Sequence, residues 1–119
     1  NEFIGSIPIG YGDGYQRLLT NKAKVLINKK LYRQIGAVTM DWIMASLGKR
    51  YNIKIGDDVL LMGEENGNYL GADKLGKLCG KIPYEMICAV ADRVERVYLN
   101  GQKRLHKLPV VYGCEFTRQ

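Results

Sequence analysis

The sequence contains a single histidine and three cysteines in 119 residues. His106 lies in a basic segment with no nucleophile beside it, so we expect a surface residue and not a catalytic base. Cys79, Cys88 and Cys114 lack the close paired spacing of a zinc site, so neither a metal site nor a disulfide is expected. Cys79 and Cys88 have apolar neighbours and are predicted to be buried. This cysteine usage favours a reducing, cytoplasmic setting.

Long apolar runs are also missing. No stretch approaches the roughly 18 apolar residues that cross a bilayer, and no charged-then-apolar leader is present. The first residue is Asn1, not methionine, and the chain runs at once into a strand-like pattern, so we expect a fragment of a longer polypeptide. The apolar fraction of 46% and charged fraction of 25% are those of one soluble globular domain.

The net charge of +6 raises the question of a polyanionic partner. The basic residues are scattered through turns or alternate with apolar residues, which is typical of the solvated side of a sheet. No nucleic-acid partner is therefore expected. A stand-alone basic β-barrel that binds nucleic acid or protein remains an alternative interpretation.

Short strands dominate the pattern of apolar residues. The predicted strands are residues 3–9, 24–27, 31–35, 37–40 and 42–47, and a further apolar strand follows a turn at residues 56–57 and ends at Gly63. A last hairpin pairs 94–99 with 104–108. Residues 64–68 are predicted to be a polar loop. One helix is predicted for Ala72–Cys79, ended by Gly80. A second has Pro83 in its first turn and apolar residues at helical spacing through residues 85–91. The sequence thus predicts a mainly β domain, a barrel or sandwich, with one or two short helices.

Two tyrosines stand in unusual settings. Tyr11 lies between two glycines in the glycine-rich residues 10–15, where neighbouring side chains would leave its ring uncovered. Tyr84 opens a predicted helix, where free backbone amides favour an anion. The alternative for either residue is a ring packed in the domain wall with its hydroxyl satisfied.

Four segments of the chain carry a family resemblance. Residues 7–17 (IPIGYGDGYQR) resemble the Gly-Tyr-x-Asp-Gly signature that opens the C-terminal domain of alanine racemases. Residues 36–41 (GAVTMD) resemble that family's Gly-Arg-x-x-Met-Asp segment, and residues 56–59 (GDDV) its Gly-Asp-x-Val turn. The fourth segment combines the Pro-Tyr-Glu of residues 83–85 with the RVERVY of residues 93–98, and it is similar to the family's Tyr-Glu and Arg-Val-x-Arg-Val-Tyr endings. The segments follow one another in the family's order.

The resemblance implies a Greek-key β-domain over residues 1–119 that follows a TIM barrel in the full-length enzyme. In this family the barrel binds pyridoxal 5'-phosphate through a lysine, and the enzyme is a head-to-tail homodimer. Each β-domain completes the active site on the barrel of the partner. The resemblance therefore implies that this chain alone neither holds the cofactor nor catalyses racemisation.

The resemblance also implies a role for three residues. Tyr11 would be the second acid/base, opposite the cofactor lysine. The backbone amide of Met40 would bind the substrate carboxylate, and the hydroxyl of Tyr84 would donate to the cofactor phosphate. A tyrosine with an ordinary pKa near ~10 is a poor base at neutral pH, so Tyr11 would need cationic groups from the other chain.

Two positions depart from the family pattern. Ala37 stands where an arginine is usual, and Lys81 stands where a small residue such as threonine is common. The arginine belongs to the polar entrance of the active site, so its loss leaves the substrate open. Alanine is the default substrate, and serine or a longer, acidic amino acid is the alternative.

Overall fold

The computed structural model describes residues 1–100 and 103–104, with side chains through residue 98. Its helices are α1 (Ala72–Cys79) and α2 (Pro83–Cys88), and single 3-10 turns cover Tyr11–Asp13 and Arg17–Leu19. The strands are β1 (Phe3–Ile7), β2 (Lys24–Ile27), β3 (Lys30–Ile35), β4 (Ile43–Gly48), β5 (Val59–Leu60), β6 (Gly63–Glu65), β7 (Asn68–Leu70), β8 (Leu99–Asn100) and β9 (Lys103–Arg104). The prediction of a mainly β domain with one or two short helices is confirmed.

The main sheet has five antiparallel strands in the order β1-β4-β3-β2-β5. Strands β2, β3 and β4 follow one another in sequence and in space, while β1 pairs with β4 instead of β2. This is the Greek-key order, and the sheet curls into a half-barrel. The short hairpins β6–β7 and β8–β9 lie outside this sheet.

The core lies against one face of the sheet. Along β4, Ile43, Ala45 and Leu47 are buried while the residues between them are only partly covered. This alternation places every second side chain of the strand on the core face. Both helices close that face, because Leu75 of α1 and Met86 of α2 belong to the same buried cluster.

The prediction of a loop over residues 64–68 is wrong, because these residues belong to the hairpin β6–β7. Asn66 and Gly67 join the two strands with φ angles of 51° and 78°. Two left-handed residues in succession make the turn whose twist suits a two-residue hairpin, and Asn-Gly is its preferred sequence. The Asn-Gly dipeptide therefore indicated a hairpin, although the polar composition of residues 64–68 resembles that of a loop.

The prediction of a strand over residues 37–40 is also wrong. Strand β3 ends at Ile35, and the chain then turns. The Thr39 hydroxyl donates to the Trp42 carbonyl at 2.8 Å and accepts from the Trp42 amide at 3.0 Å. A threonine side chain that satisfies the backbone locally competes with strand pairing. The result is an exposed turn, residues 39–42, which we call the Met40 turn.

Smaller corrections concern the second half of the chain. Helix α2 ends at Cys88, and the strand predicted for residues 94–99 is reduced to β8. Cys79 is buried as predicted, whereas Cys88 is exposed. Cys88 follows the buried Met86 by two positions, about 200° around a helix, and so points away from the core. His106, Cys114 and most of the strand predicted for residues 104–108 lie outside the described residues.

Candidate active-site surface

Tyr11 lies in the turn that follows β1. This turn comprises residues 10–14, and we call it the Tyr11 turn. The Tyr11 amide donates to the Thr39 carbonyl at 2.9 Å, and the Gly12 amide donates to the Met40 carbonyl at 3.0 Å. A Cβ atom on Gly10 would lie 2.1 Å from the Thr39 carbonyl oxygen and 2.4 Å from that of Met40. Only glycine permits this approach. The two turns are therefore joined backbone to backbone.

Both turns leave their predicted functional groups accessible. The Tyr11 side chain is 48% exposed and Met40 is 56% exposed. Within the part of the chain that the structure describes, no group hydrogen bonds to the Tyr11 hydroxyl, and none accepts from the Met40 amide. The alternative of a Tyr11 ring packed in the domain wall is wrong. A phenol and an unpaired backbone donor thus lie on adjoining exposed turns.

Tyr84 lies in the first turn of α2 and is 75% exposed. It precedes the buried Met86 by two positions, so its ring points away from the core. Its hydroxyl has no hydrogen-bond partner among residues 1–98. The Ile82 amide at the start of α2 already donates to the Glu85 carboxylate at 3.5 Å. The candidate phosphate donor in this turn is therefore the Tyr84 hydroxyl and not the amide at the helix end.

Helix α2 connects the Tyr84 position to the Tyr11 turn. Just beyond its end, the Ala91 amide donates to the Asp13 carbonyl at 3.0 Å. The helix itself is six residues long, about 9 Å at the usual rise. The structure therefore brings Tyr11 and Met40 into direct contact through their turns, and it places Tyr84 at the far end of this short helix.

The buried carboxylate of Asp13 was missed in the sequence. Asp13 is only 9% exposed, and its Oδ2 accepts a hydrogen bond from the Gly10 amide at 3.0 Å. Its other oxygen forms an ion pair with Arg93, whose guanidinium also lies 3.6 Å from Asp41. These charges sit beside Tyr11 and Met40. The available signal was an aspartate inside the glycine-rich segment, because a charged residue in a tight turn indicates a hydrogen-bonding or ionic partner.

A second tyrosine near the site has the opposite environment. Tyr15 is 7% exposed, and its buried hydroxyl has no partner among the described residues. Burial, with a smaller contribution from Cys79, raises the pKa of Tyr15 far above its ordinary value. Its ring lines an apolar cavity of about 870 Å³ together with Leu61 and Met62. Tyr15 is therefore a structural residue and not a second candidate for the exposed site.

The next question is which described groups could hold a metal ion or contact the cofactor and the substrate. Residues 1–98 contain no cluster of three or more histidine, cysteine, aspartate or glutamate side chains. The unpaired hydroxyl of Tyr84 fits one donor to a phosphate, and the unpaired amide of Met40 fits one donor to a carboxylate. Among the described helices, none is long and apolar enough to span a membrane.

The structure defines a Greek-key β-domain that carries an exposed phenol and an unpaired backbone amide on adjoining turns. The family model described as "Alanine racemase, C-terminal domain" matches residues 1–98. The chain belongs to this family.

Curated relatives and solved structures agree with the family match. The chain is 44% identical over 102 residues to the alanine racemase of Geobacter sulfurreducens, covering 85% of this chain and 27% of that protein. It is 45% identical over 95 residues to that of Clostridium perfringens, covering 80% and 25%. The Bacillus anthracis alanine racemase with bound L-Ala-P superposes with a TM-score of 0.81 at 33% identity, covering 88% and 26% of the two chains. The chain thus spans about a quarter of the length of these relatives.

Proposed function

We propose that this chain, residues 1–119, is the C-terminal β-domain of a pyridoxal-phosphate-dependent amino-acid racemase. The default reaction is the interconversion of L-alanine and D-alanine. It takes place in the cytoplasm and supplies D-alanine for peptidoglycan. The full-length protein carries an N-terminal TIM barrel and works as a homodimer, with each β-domain facing the partner's barrel. The observation that carries the proposal is the pair of hydrogen-bonded turns, one with the exposed Tyr11 side chain and the other with the unpaired Met40 amide.

The two turns suit the substrate side of this reaction. Racemisation removes a proton from one face of the α-carbon and returns one to the other face, so the substrate must be held with both faces accessible. The Met40 amide fixes the carboxylate, and the neighbouring Tyr11 phenol contacts the substrate beside it. Pyridoxal phosphate, when bound, withdraws electrons from the α-carbon and makes its proton acidic. The Tyr84 hydroxyl donates to the phosphate of that cofactor.

The acid/base role that the resemblance implies for Tyr11 makes a further demand. No described cation contacts its hydroxyl, so a cation that activates the phenol must come from another part of the enzyme. The barrel of the partner subunit is the source that the family architecture offers. Without such a cation, Tyr11 would line the substrate site and take no part in proton transfer.

The Tyr11→Phe variant of the full-length enzyme tests both roles. Loss of a proton-transfer group is expected to lower kcat by about 100-fold or more while cofactor absorbance persists. Tyr69→Phe is the matched control, because Tyr69 is 46% exposed and lies on β7, away from both turns. It should leave kcat and KM unchanged.

The outcomes separate the proposals. A loss below about tenfold that is confined to KM would assign Tyr11 to the lining of the substrate site and overturn its acid/base role. Racemisation at the wild-type rate in Tyr11→Phe would remove Tyr11 from the site altogether. The isolated 119-residue chain should neither racemise alanine nor retain pyridoxal phosphate through dialysis, and turnover by it would contradict the half-site architecture.

A second substrate is favoured by two positions. Ala37 is exposed just before the Met40 turn, and Lys81 is partly exposed just before α2. Removing one cation and adding another near the site changes the charge that an incoming amino acid meets. Serine or a longer, acidic amino acid is therefore the alternative substrate.

A further inference from the structure

The guanidinium of Arg93 contacts both turns of the candidate site. It forms an ion pair with Asp13, which lies two residues after Tyr11, and it lies 3.6 Å from Asp41, which directly follows Met40. Arg93 itself comes from neither turn, since it follows α2. One side chain from a third segment therefore spans the two elements that carry the substrate-facing groups.

Asp13 makes the ion pair a structural requirement. Its Oδ2 closes the Tyr11 turn by accepting from the Gly10 amide at 3.0 Å, while its Oδ1 meets Arg93. The carboxylate is almost fully buried, and a buried charge without a partner is strongly destabilising. Arg93 supplies the opposite charge, so the shape of the turn and the position of the arginine depend on each other.

The segment that carries Arg93 is itself held in place. The Arg96 guanidinium donates to the carbonyls of Val90, Ala91 and Val94 at 2.8, 3.2 and 3.0 Å. The Ala91 amide in the same segment donates to the Asp13 carbonyl at 3.0 Å. These bonds wrap residues 90–94 around Arg96. Arg93 therefore projects from a fixed base, which is what a positioning residue requires.

We propose that Arg93 is a positioning residue that locks the Tyr11 turn and the Met40 turn together at a fixed separation. It acts through Asp13 and Asp41 and does not touch the substrate. The inference rests on the proposed function, because it assigns a purpose to the alignment of Tyr11 with the Met40 amide. Both contacts are made by Nη2 of Arg93, a terminal nitrogen whose two N–H groups are fixed in the guanidinium plane, whereas a lysine ammonium is a point charge on a flexible stem.

The test uses four variants of the full-length enzyme. Arg93→Met removes both ion pairs, and Arg93→Lys keeps the charge without the planar guanidinium. The double variant Asp13→Asn with Arg93→Met removes the buried unpaired charge, since asparagine still accepts from the Gly10 amide. Arg33→Met is the control, because Arg33 is an exposed arginine on β3. Each is assayed for kcat, KM and amide hydrogen exchange.

Positioning predicts a specific pattern. In Arg93→Met, kcat/KM falls by about 10- to 100-fold. Exchange of the Tyr11 and Gly12 amides rises by about tenfold or more, while amides of the β2–β3 hairpin keep their protection. Arg93→Lys recovers part of the activity. The double variant recovers thermal stability but not kcat/KM, and Arg33→Met matches wild type.

Three results would overturn the proposal. One is unchanged exchange of the Tyr11 and Gly12 amides in Arg93→Met. Another is recovery of kcat/KM together with stability in the double variant, which would reduce Arg93 to a neutraliser of Asp13. The third is wild-type kcat/KM in Arg93→Met. If the wild-type enzyme racemises no amino acid, the proposed function fails, and the exchange measurement still decides whether Arg93 holds the two turns.

Discussion

The amide of Gly12 donates a hydrogen bond to the carbonyl of Met40, at 3.0 Å, although the two residues belong to different strand connections. The cause is the sheet register, in which Ile7 at the end of β1 is paired with Ile43 at the start of β4. Antiparallel pairing places the segment that leaves β1 beside the segment that enters β4. The Greek-key order therefore creates the contact between Tyr11 and Met40 that the proposed function uses.

Gly10→Ala should separate the two turns. The added Cβ would lie 2.1 Å from the Thr39 carbonyl oxygen, and a backbone atom cannot move away as a flexible side chain can. A shift of about 1 Å in the Tyr11 turn is expected to lower kcat/KM by about 100-fold. Steady-state kinetics and cofactor absorbance of the full-length enzyme measure the effect.

The control for Gly10→Ala is Gly56→Asn. Gly56 lies outside both turns and has a φ of 94° with nothing within 4 Å of its built Cβ, so asparagine there strains the local backbone without a collision. This variant should keep wild-type kinetics. Unchanged kinetics in Gly10→Ala as well would show that the contact between the two turns does not govern the reaction.

Tyr84→Phe should weaken cofactor retention more than catalysis by the loaded enzyme. Tyr84 is exposed and its hydroxyl has no hydrogen-bond partner among residues 1–98, so its removal should leave the fold intact. A hydrogen bond to a charged phosphate contributes about 1.5–3 kcal/mol, so the Kd of the cofactor should rise by about 10- to 100-fold when the hydroxyl is removed. Dialysis followed by absorbance measures it. Equal retention in Tyr84→Phe and wild type would remove the phosphate role.

Ala37→Arg should narrow the substrate range toward alanine. Arginine is the residue that the family resemblance implies at this position, so the substitution restores the positive charge of that pattern, and Ala37 is exposed enough to accept a long side chain. A panel of alanine, serine, aspartate and glutamate, assayed on wild type and variant, gives the ratios of kcat/KM. Strict preference of the wild-type enzyme for alanine would exclude serine and longer, acidic amino acids as its substrate.

The sequence predicted elements whose signals are local. Helix α1 was predicted with both of its bounds, because its apolar face is periodic and Gly80 takes the left-handed conformation at its end. The flanking glycines indicated an uncovered Tyr11 ring, but they left a ring packed in the domain wall as an open alternative. The Met40 turn was mistaken for strand, since its apolar residues match a strand pattern and the Thr39 hydrogen bonds that bend it are not visible in composition.

Long-range relationships were beyond prediction from the residues alone. Nothing local joins Asp13 to Arg93, because the pair exists only after α2 has packed on the sheet and carried the following segment to the Tyr11 turn. The contact of that turn with Met40 likewise depends on the pairing of β1 with β4. Sequence motifs located the functional groups, while strand register and helix packing decided which of them meet.

Tyr15→Phe should stabilise the 119-residue chain. The buried Tyr15 hydroxyl has no hydrogen-bond partner in residues 1–98, so its removal should raise the free energy of unfolding by about 1 kcal/mol at neutral pH. Burial raises the pKa of Tyr15 in the folded state, so ionisation favours the unfolded chain, whose tyrosine has a pKa near ~10. The contribution of Tyr15 to stability is therefore intact below pH ~10 and declines as the pH rises toward the folded-state pKa.

Urea unfolding between pH 7 and pH 11 measures both effects of Tyr15→Phe. The wild-type free energy of unfolding should decline more steeply above pH ~10 than that of the variant, because only the wild type can ionise at this position. Tyr11→Phe is the control, since its exposed hydroxyl makes no hydrogen bond to the described residues and should leave stability unchanged. A loss of stability in Tyr15→Phe at neutral pH would mean that the hydroxyl has a hydrogen-bond partner in solution, and parallel alkaline profiles would mean that it titrates no differently after folding.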